Sequence, residues 1–198
     1  YPDIIVGCTG GGSNLAGLMF PFLGQQLRGG QKIDIIGCEP LSCPSFTKGK
    51  YAYDHGDMAR MTPLIKMHTL GSDFLPPANH SGGLRYHGMS YHLSHLYDLG
   101  LMRAKAYGQK DCFEAGVIFG KQEGIIPAPE GNHAVKGAMD AALECKEKGE
   151  SKTILFNLCG HGHFDMTAYD DYFSGRLADD FYDEETANKS LSALPEIA

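Results

Sequence analysis

Short β-rich apolar runs alternate along the chain with stretches of helical periodicity, the pattern of strands joined by crossover helices in a mostly parallel sheet. Strands are predicted at 3–8, 33–38, 103–107 and 153–158. Between them, Leu15, Leu18, Met19 and Phe22 repeat at i, i+3, i+4, i+7, as do Cys112, Ala115, Gly116 and Phe119. Ala134, Ala138, Ala141, Ala142 and Cys145 trace a third helical face. A fourth helix is predicted from Gly88 to Leu99, with Met89, Leu93 and Leu96 inward and Gly100 as a left-handed cap. These stripes read as core. The stretch 39–88, rich in Gly, Pro, Tyr and His, shows no sustained period and reads as an irregular functional or docking segment. Within it, Tyr51–Leu75 is unpatterned yet apolar and aromatic, which suits an interface. The expected fold class is α/β, a mostly parallel sheet with flanking helices.

Composition changes the picture only at the ends. The 198 residues are 42% hydrophobic and 21% charged, as in ordinary globular domains. A net charge of −7 argues against a general nucleic-acid binder, and no apolar run approaches the length of a membrane span. Residues 164–198 carry nine acids against Arg176 and Lys189, whereas residues 1–163 balance at fifteen against fifteen. The expected division is therefore a ligand-binding α/β domain over 1–163, holding the irregular segment 39–88, and an acidic, helical, solvated tail over 164–198. Six cysteines without a CxxC pair read as reduced thiols in a cytoplasmic setting. The chain opens without Met, directly into a strand pattern, and reads as a piece of a longer protein.

The sharpest chemical signal is Thr9-Gly-Gly-Gly-Ser-Asn14, which leaves a strand and opens a helix. Glycines let backbone N–H groups approach an anion closely, Ser13 adds a hydroxyl that also suits a helix cap, and the helix N-terminus supplies partial positive charge. The run lacks the Lys of a Walker loop and the spacing of a dinucleotide fingerprint. The competing reading is a tight glycine turn with no ligand. The proline turn of Gly124-Ile-Ile-Pro-Ala-Pro-Glu-Gly-Asn-His133 delivers Glu130 to a helix start, either as a site residue or simply as a cap favoured by the dipole. Phe156-Asn-Leu-Cys-Gly-His-Gly-His-Phe-Asp165 carries the last strand into a glycine loop, so the Gly10 and Cys159 loops both lie where open α/β sheets gather ligands. His161 with His163, and His92 with His95, lack a third ligand at a recognised spacing, so no metal site is assigned.

Five motifs in register, Thr9–Asn14, Gly37-Cys-Glu-Pro40, Gly82-Gly-Leu-Arg-Tyr-His-Gly88, Glu123–Glu130 and Gly160-His-Gly-His-Phe-Asp165, resemble the C-terminal half of tryptophan synthase β chains. The wording Leu84-Arg-Tyr-His-Gly88 and the His-Gly-His loop resemble the divergent second, β-like type. The resemblance implies a fold type II enzyme dependent on pyridoxal 5′-phosphate that joins indole to L-serine, or to O-phosphoserine, as L-tryptophan. It implies that Gly10, Gly11, Gly12, Ser13 and Asn14 hold the cofactor phosphate and that Glu130 is the catalytic carboxylate beside the ring. Cys159 stands where the family usually has a Ser facing the pyridine nitrogen, and a neutral thiol there leaves that nitrogen unprotonated.

Arg85, where the ordinary β chain carries an acid, suggests a guanidinium that favours a phosphate leaving group, with a surface or interface ion pair as the bland alternative. The resemblance also implies a monovalent cation held by loop carbonyls, a homodimer and an α-subunit partner. None of the twelve lysines stands in the motif of the family's Schiff-base lysine, so the chain alone is expected to bind the cofactor weakly and catalyse nothing. The alternatives are a non-catalytic relative binding phosphate-bearing small molecules and another fold type II lyase.

Overall fold

The structure is a computed structural model that describes residues 1–179 and 181–196. Strands β1 (Ile4–Cys8), β2 (Asp34–Pro40), β5 (Arg103–Tyr107) and β6 (Ile154–Phe156) form one sheet in the order β5-β2-β1-β6. Every pairing in it is parallel. β1 is central and buried at all five residues, which is why Ile-Ile-Val reads as a continuous apolar run rather than an alternating one.

The two faces of the sheet are covered by different helices. Ile5 and Ile35 pack with Leu15, Met19 and Leu23 of α1 (Ser13–Leu27) and Leu93 of α2 (Tyr91–Asp98). Ile4, Val6, Ile36 and Cys38 pack on the other face with Cys112 of α3 (Gln109–Glu123) and Ala141 and Cys145 of α4 (Pro129–Lys148). The period-2 alternation of β1 and β2 thus feeds two separate cores. Close approach of α4 depends on Gly137, where a Cβ would lie 2.3 Å from Cys38 Sγ.

The sequence expectations hold for the four parallel strands and the four helices, with shifts at their ends. α2 begins at Tyr91 rather than Gly88, because Gly88 bridges Thr69 and Met89 N–H donates to His68 O at 2.9 Å. Ser90 then caps the helix through Leu93 N–H, and Gly100 takes the left-handed conformation at φ 68°. Ser13 is not a cap: Gly12 holds that position at φ +90° and no side chain caps α1.

The segment 39–88 is not irregular throughout. It contains an antiparallel hairpin of β3 (Lys50–His55) and β4 (Leu64–Thr69). Its period is obscured because Lys50, Tyr53, Leu64 and Lys66 are exposed while Asp54, an acid, is buried. Asp54 is satisfied there by His55 N–H at 2.8 Å and Thr69 Oγ1 at 2.7 Å. The connecting loop is closed by Asp57, which accepts from Met61 N, Thr62 N and Thr62 Oγ1. Those three donors hold its carboxyl down at about 2.

Residues 164–196 contain α5 (Met166–Phe173) and α6 (Glu184–Ser192). Both dock on the body of the molecule: Ala168, Tyr169 and Leu177 pack on Phe113, and Ala187 packs on Cys43, Leu70 and Phe74. Tyr169 Oη donates to Pro127 O at 2.6 Å and accepts from Asn132 Nδ2 at 3.0 Å. Asp180, within the acidic run, lies outside the described residues.

Candidate functional site

At the carboxyl ends of β1 and β6 lies a cavity of about 330 Å³ lined by Cys8, Gly10, Gly11, Gly12, Ser13, Asn14, Gly83, Leu84, Tyr86, Glu130 and Cys159. This is where a parallel sheet gathers ligands, and the volume is in the small-molecule range. The glycine run turns β1 into α1, whose first turn carries no acid and no side-chain cap. Its leading N–H groups, having no carbonyl one turn back, point toward the cavity end of the helix. The run is packed tightly from outside: a Cβ at Gly10 would lie 2.7 Å from Leu84 Cα and 2.8 Å from Gly83 O, both backbone atoms. Gly11 O accepts Ser90 N–H at 2.9 Å, which ties the loop to the cap of α2. Asn14 and Asn157 bond side chain to side chain, joining the start of α1 to the segment after β6.

The opposite wall is built by two loops that zip together. Ala128 N–H donates to Gly160 O at 3.1 Å and Gly162 N–H to Ile126 O at 2.8 Å, around a bridge between Pro127 and His161. The proline turn places Pro129 at the start of α4 and Glu130 in its first turn. There Glu130 Oε1 accepts Gly83 N–H at 2.9 Å, linking α4 to the short 3-10 turn Gly82–Leu84 across the mouth. Tyr86, half exposed, leans over the glycine run.

Cys159 is half-buried, and its Sγ lies 3.3 Å from Cys8 Sγ. Bonding to Cys8 holds the Cys159 thiol down at about 7 against the opposing effect of burial, and the Cys8 thiol is pushed well up. A donated S–H favours one thiolate at the cost of the other.

The structure thus brings Gly10–Asn14, Glu130 and Cys159 to one cavity. It does not bring Arg85 there. Arg85 is exposed, and its Nη2 donates to Pro76 O at 2.5 Å, because the 3-10 turn directs residue 85 away from the face that Gly83 and Leu84 present. Cys8 lines the cavity without having been singled out, and Gly83, Leu84 and Tyr86 of the Gly82–Gly88 motif line it without having been given a side-chain role. The signal for Cys8 was available, since it is the last strand residue before the glycine run. Among the described residues no three His, Cys, Asp or Glu side chains are gathered as a metal site, and no helix is long and apolar enough to cross a membrane.

The cavity fits a phosphate-bearing ring. An uncapped helix start lies at the glycine wall, a backbone cradle too tight for a Cβ at Gly10 lies behind it, and a carboxylate and a thiol line the remaining wall. Comparison with known proteins agrees. Tryptophan synthase beta chain 2 of Methanosarcina mazei is 58% identical over 177 residues, 89% of this chain and 40% of that protein. Tryptophan synthase beta chain 2 of Aquifex aeolicus is 56% identical, over 90% of this chain and 42% of that protein. The tryptophan synthase beta chain of Pyrococcus horikoshii is 50% identical, over 98% of this chain and 42% of that protein. The chain therefore spans about two fifths of the length of these curated relatives. Among solved structures, a fungal L-serine ammonia-lyase from Rhizomucor miehei shares the fold with a TM-score of 0.62 at 14% identity, over 89% of this chain and 50% of that one. The family profile described as pyridoxal-phosphate dependent enzyme matches residues 1–160, and with most of its length so matched the chain belongs to that family.

Proposed function

We propose that the chain forms the cofactor-phosphate half of a tryptophan synthase β-type enzyme, which makes L-tryptophan from indole and L-serine. The observation that carries this reading is the single cavity in which the Gly10–Asn14 cradle faces both Glu130 and Cys159. When bound, pyridoxal phosphate supplies an electron-withdrawing ring that stabilises negative charge developing on the amino acid. In the proposed arrangement the amides of Gly10, Gly11 and Gly12, with Ser13 and Asn14, hold the phosphate dianion at the start of α1. Cys159 meets the ring nitrogen as a weak hydrogen-bonding partner. Glu130, fixed through Oε1 by Gly83 N–H, orients the indole and receives its N–H proton at Oε2.

No lysine lines the cavity among the described residues, so the chain's own part is reversible binding rather than covalent attachment. The amino donor is taken as serine, because Arg85 joins the site only by releasing Pro76. The same reading carries a homodimer, for which exposed Tyr53, Met58, Met61 and Leu64 offer apolar surface. It also carries an α-subunit partner, a monovalent cation at loop carbonyls and a reducing, cytoplasmic setting that suits six free cysteines.

The test has two stages. Pyridoxal phosphate titrated into the chain should bind reversibly and be displaced by inorganic phosphate, and Gly10→Ala should abolish that binding. Supplied with the lysine-bearing portion of a relative, indole and serine, the assembly should form tryptophan, with Glu130→Ala slowing it about 10²-fold. Absence of cofactor binding, or ammonia release from serine without tryptophan, would remove the reading.

A further inference from the structure

Cys8 ends β1, and Cys159 lies three residues beyond the end of β6, in the loop that leaves it. β1 and β6 pair through Val6 and Phe156, so the two thiols emerge side by side at the strand ends, 3.3 Å apart. Both line the cavity. Cys8 is 3% exposed and packs with Leu84 and Ala134, whereas Cys159 is half-buried and meets solvent through the cavity. Cys38, Cys43, Cys112 and Cys145 are buried elsewhere in the core. A disulfide needs its sulfurs about 2.0 Å apart. The remaining approach of about 1 Å is within a small rotation of two side chains whose sulfurs already touch.

We propose that Cys8 and Cys159 are an oxidation site, at which a hydroperoxide closes an intramolecular disulfide across the strand end of the cavity. With hydrogen peroxide the Cys159 thiolate attacks one oxygen and the O–O bond breaks. The departing hydroxide takes a proton and leaves as water, and Cys159, oxidised by two electrons, becomes a sulfenic acid. Cys8 Sγ then attacks that sulfur: the S–S bond forms, the S–OH bond breaks, and the hydroxide carries away the Cys8 proton as a second water. Two thiols and one peroxide give one disulfide and two waters.

Cys159 is the attacking sulfur, since it is the more exposed of the two and the one whose thiolate the neighbouring S–H favours. Cys8, buried behind it, is the resolving one. Disulfides of this kind in a reducing compartment are transient and redox-responsive. The consequence for the cofactor rests on the proposed function: closing the bond takes the Cys159 thiol from the ring nitrogen.

The experiment treats the reduced, purified chain with hydrogen peroxide, then unfolds it in guanidinium with N-ethylmaleimide present to block the remaining thiols, and reads intact and peptide masses. Four of the six cysteines should take the label, with two hydrogens lost and a Cys8 peptide joined to a Cys159 peptide, reversed by dithiothreitol. Cys8→Ala should stop at a Cys159 sulfenic acid trapped by dimedone, and Cys159→Ser should slow peroxide consumption by at least about tenfold. A link from either residue to Cys38, Cys43, Cys112 or Cys145 would overturn the proposal. So would sulfinic acid at Cys159 without any link in the folded chain. Preloading with pyridoxal phosphate should slow the link; if the link forms equally fast with cofactor bound, the oxidation site stands and the cofactor placement falls.

Discussion

Glu130 Oε1 and the backbone N–H of Gly83 meet at 2.9 Å, which makes the first turn of α4 and the Gly82–Leu84 turn two sides of one clasp. A Cβ added at Gly83 would lie 3.1 Å from that oxygen and crowd it. Glu130→Gln keeps an acceptor oxygen at the same place and should leave the clasp closed. Glu130→Ala removes the acceptor, and the neutral hydrogen bond that the glutamine variant keeps contributes about 0.5–1.5 kcal/mol. The Gly83 amide in the alanine variant should therefore exchange with solvent about two- to tenfold faster than in the glutamine variant. Hydrogen exchange read at Gly83 decides this, and equal rates in the two variants would mean that the turn is held from elsewhere.

The glycines of the cradle are not equivalent, and that gives a sharper comparison than any single substitution. At Gly10 an added methyl meets Leu84 Cα at 2.7 Å and Gly83 O at 2.8 Å, backbone atoms that cannot rotate away. At Gly11 the nearest atoms are in the Tyr86 ring, at 3.9 Å, an ordinary contact. Overpacking of the first kind costs about 1–3 kcal/mol. Gly10→Ala should thus lower the melting temperature by roughly 5 °C, and Gly11→Ala should leave it within about a degree. Thermal unfolding of the two variants side by side checks this, and a reversed order would show that the cradle is not seated on the 3-10 turn.

What was legible in the sequence follows from where each element buries its side chains. Ile4–Val6 could be read because an interior parallel strand is apolar on both faces. α1 and α4 could be read because each presents one stripe to one face of the sheet. The cradle was legible from composition and placement together, three glycines directly after a strand. The hairpin was not, because Lys50, Tyr53, Leu64 and Lys66 are exposed and Asp54 occupies a buried position that a hydrophobic pattern assigns to an apolar residue. The Cys8–Cys159 contact and the turning of Arg85 to Pro76 lie beyond local pattern, since each depends on how two distant loops are seated. Glu39 stood inside a recognised motif, yet its complete burial shows only in three dimensions.

That burial makes Glu39 the group whose titration should be visible in stability. Its side chain is fully enclosed, with Oε2 accepting Phe46 N–H and Oε1 accepting Thr47 N–H, each at 2.9 Å, and the Thr47 hydroxyl at 2.7 Å. Burial pushes the carboxyl up from 4.5 to about 7, and the three donors from Phe46 and Thr47 hold it from going further. The unfolded carboxyl releases its proton near 4.3, so between there and about 7 the folded chain binds more protons than the unfolded one. Stability from this group is then fully present at the acid end and is lost as pH rises through that window, by on the order of 3 kcal/mol. Cys43, the thiol that feels Glu39, is pushed up to about 12 and stays out of the window. Glu39→Gln carries no titrating proton. Its stability relative to the parent chain should therefore rise between pH 5 and pH 8, whatever constant offset the lost acceptor imposes. Urea unfolding of both proteins at the two pH values measures this difference, and parallel curves would show that Glu39 stays charged in the fold across the whole range.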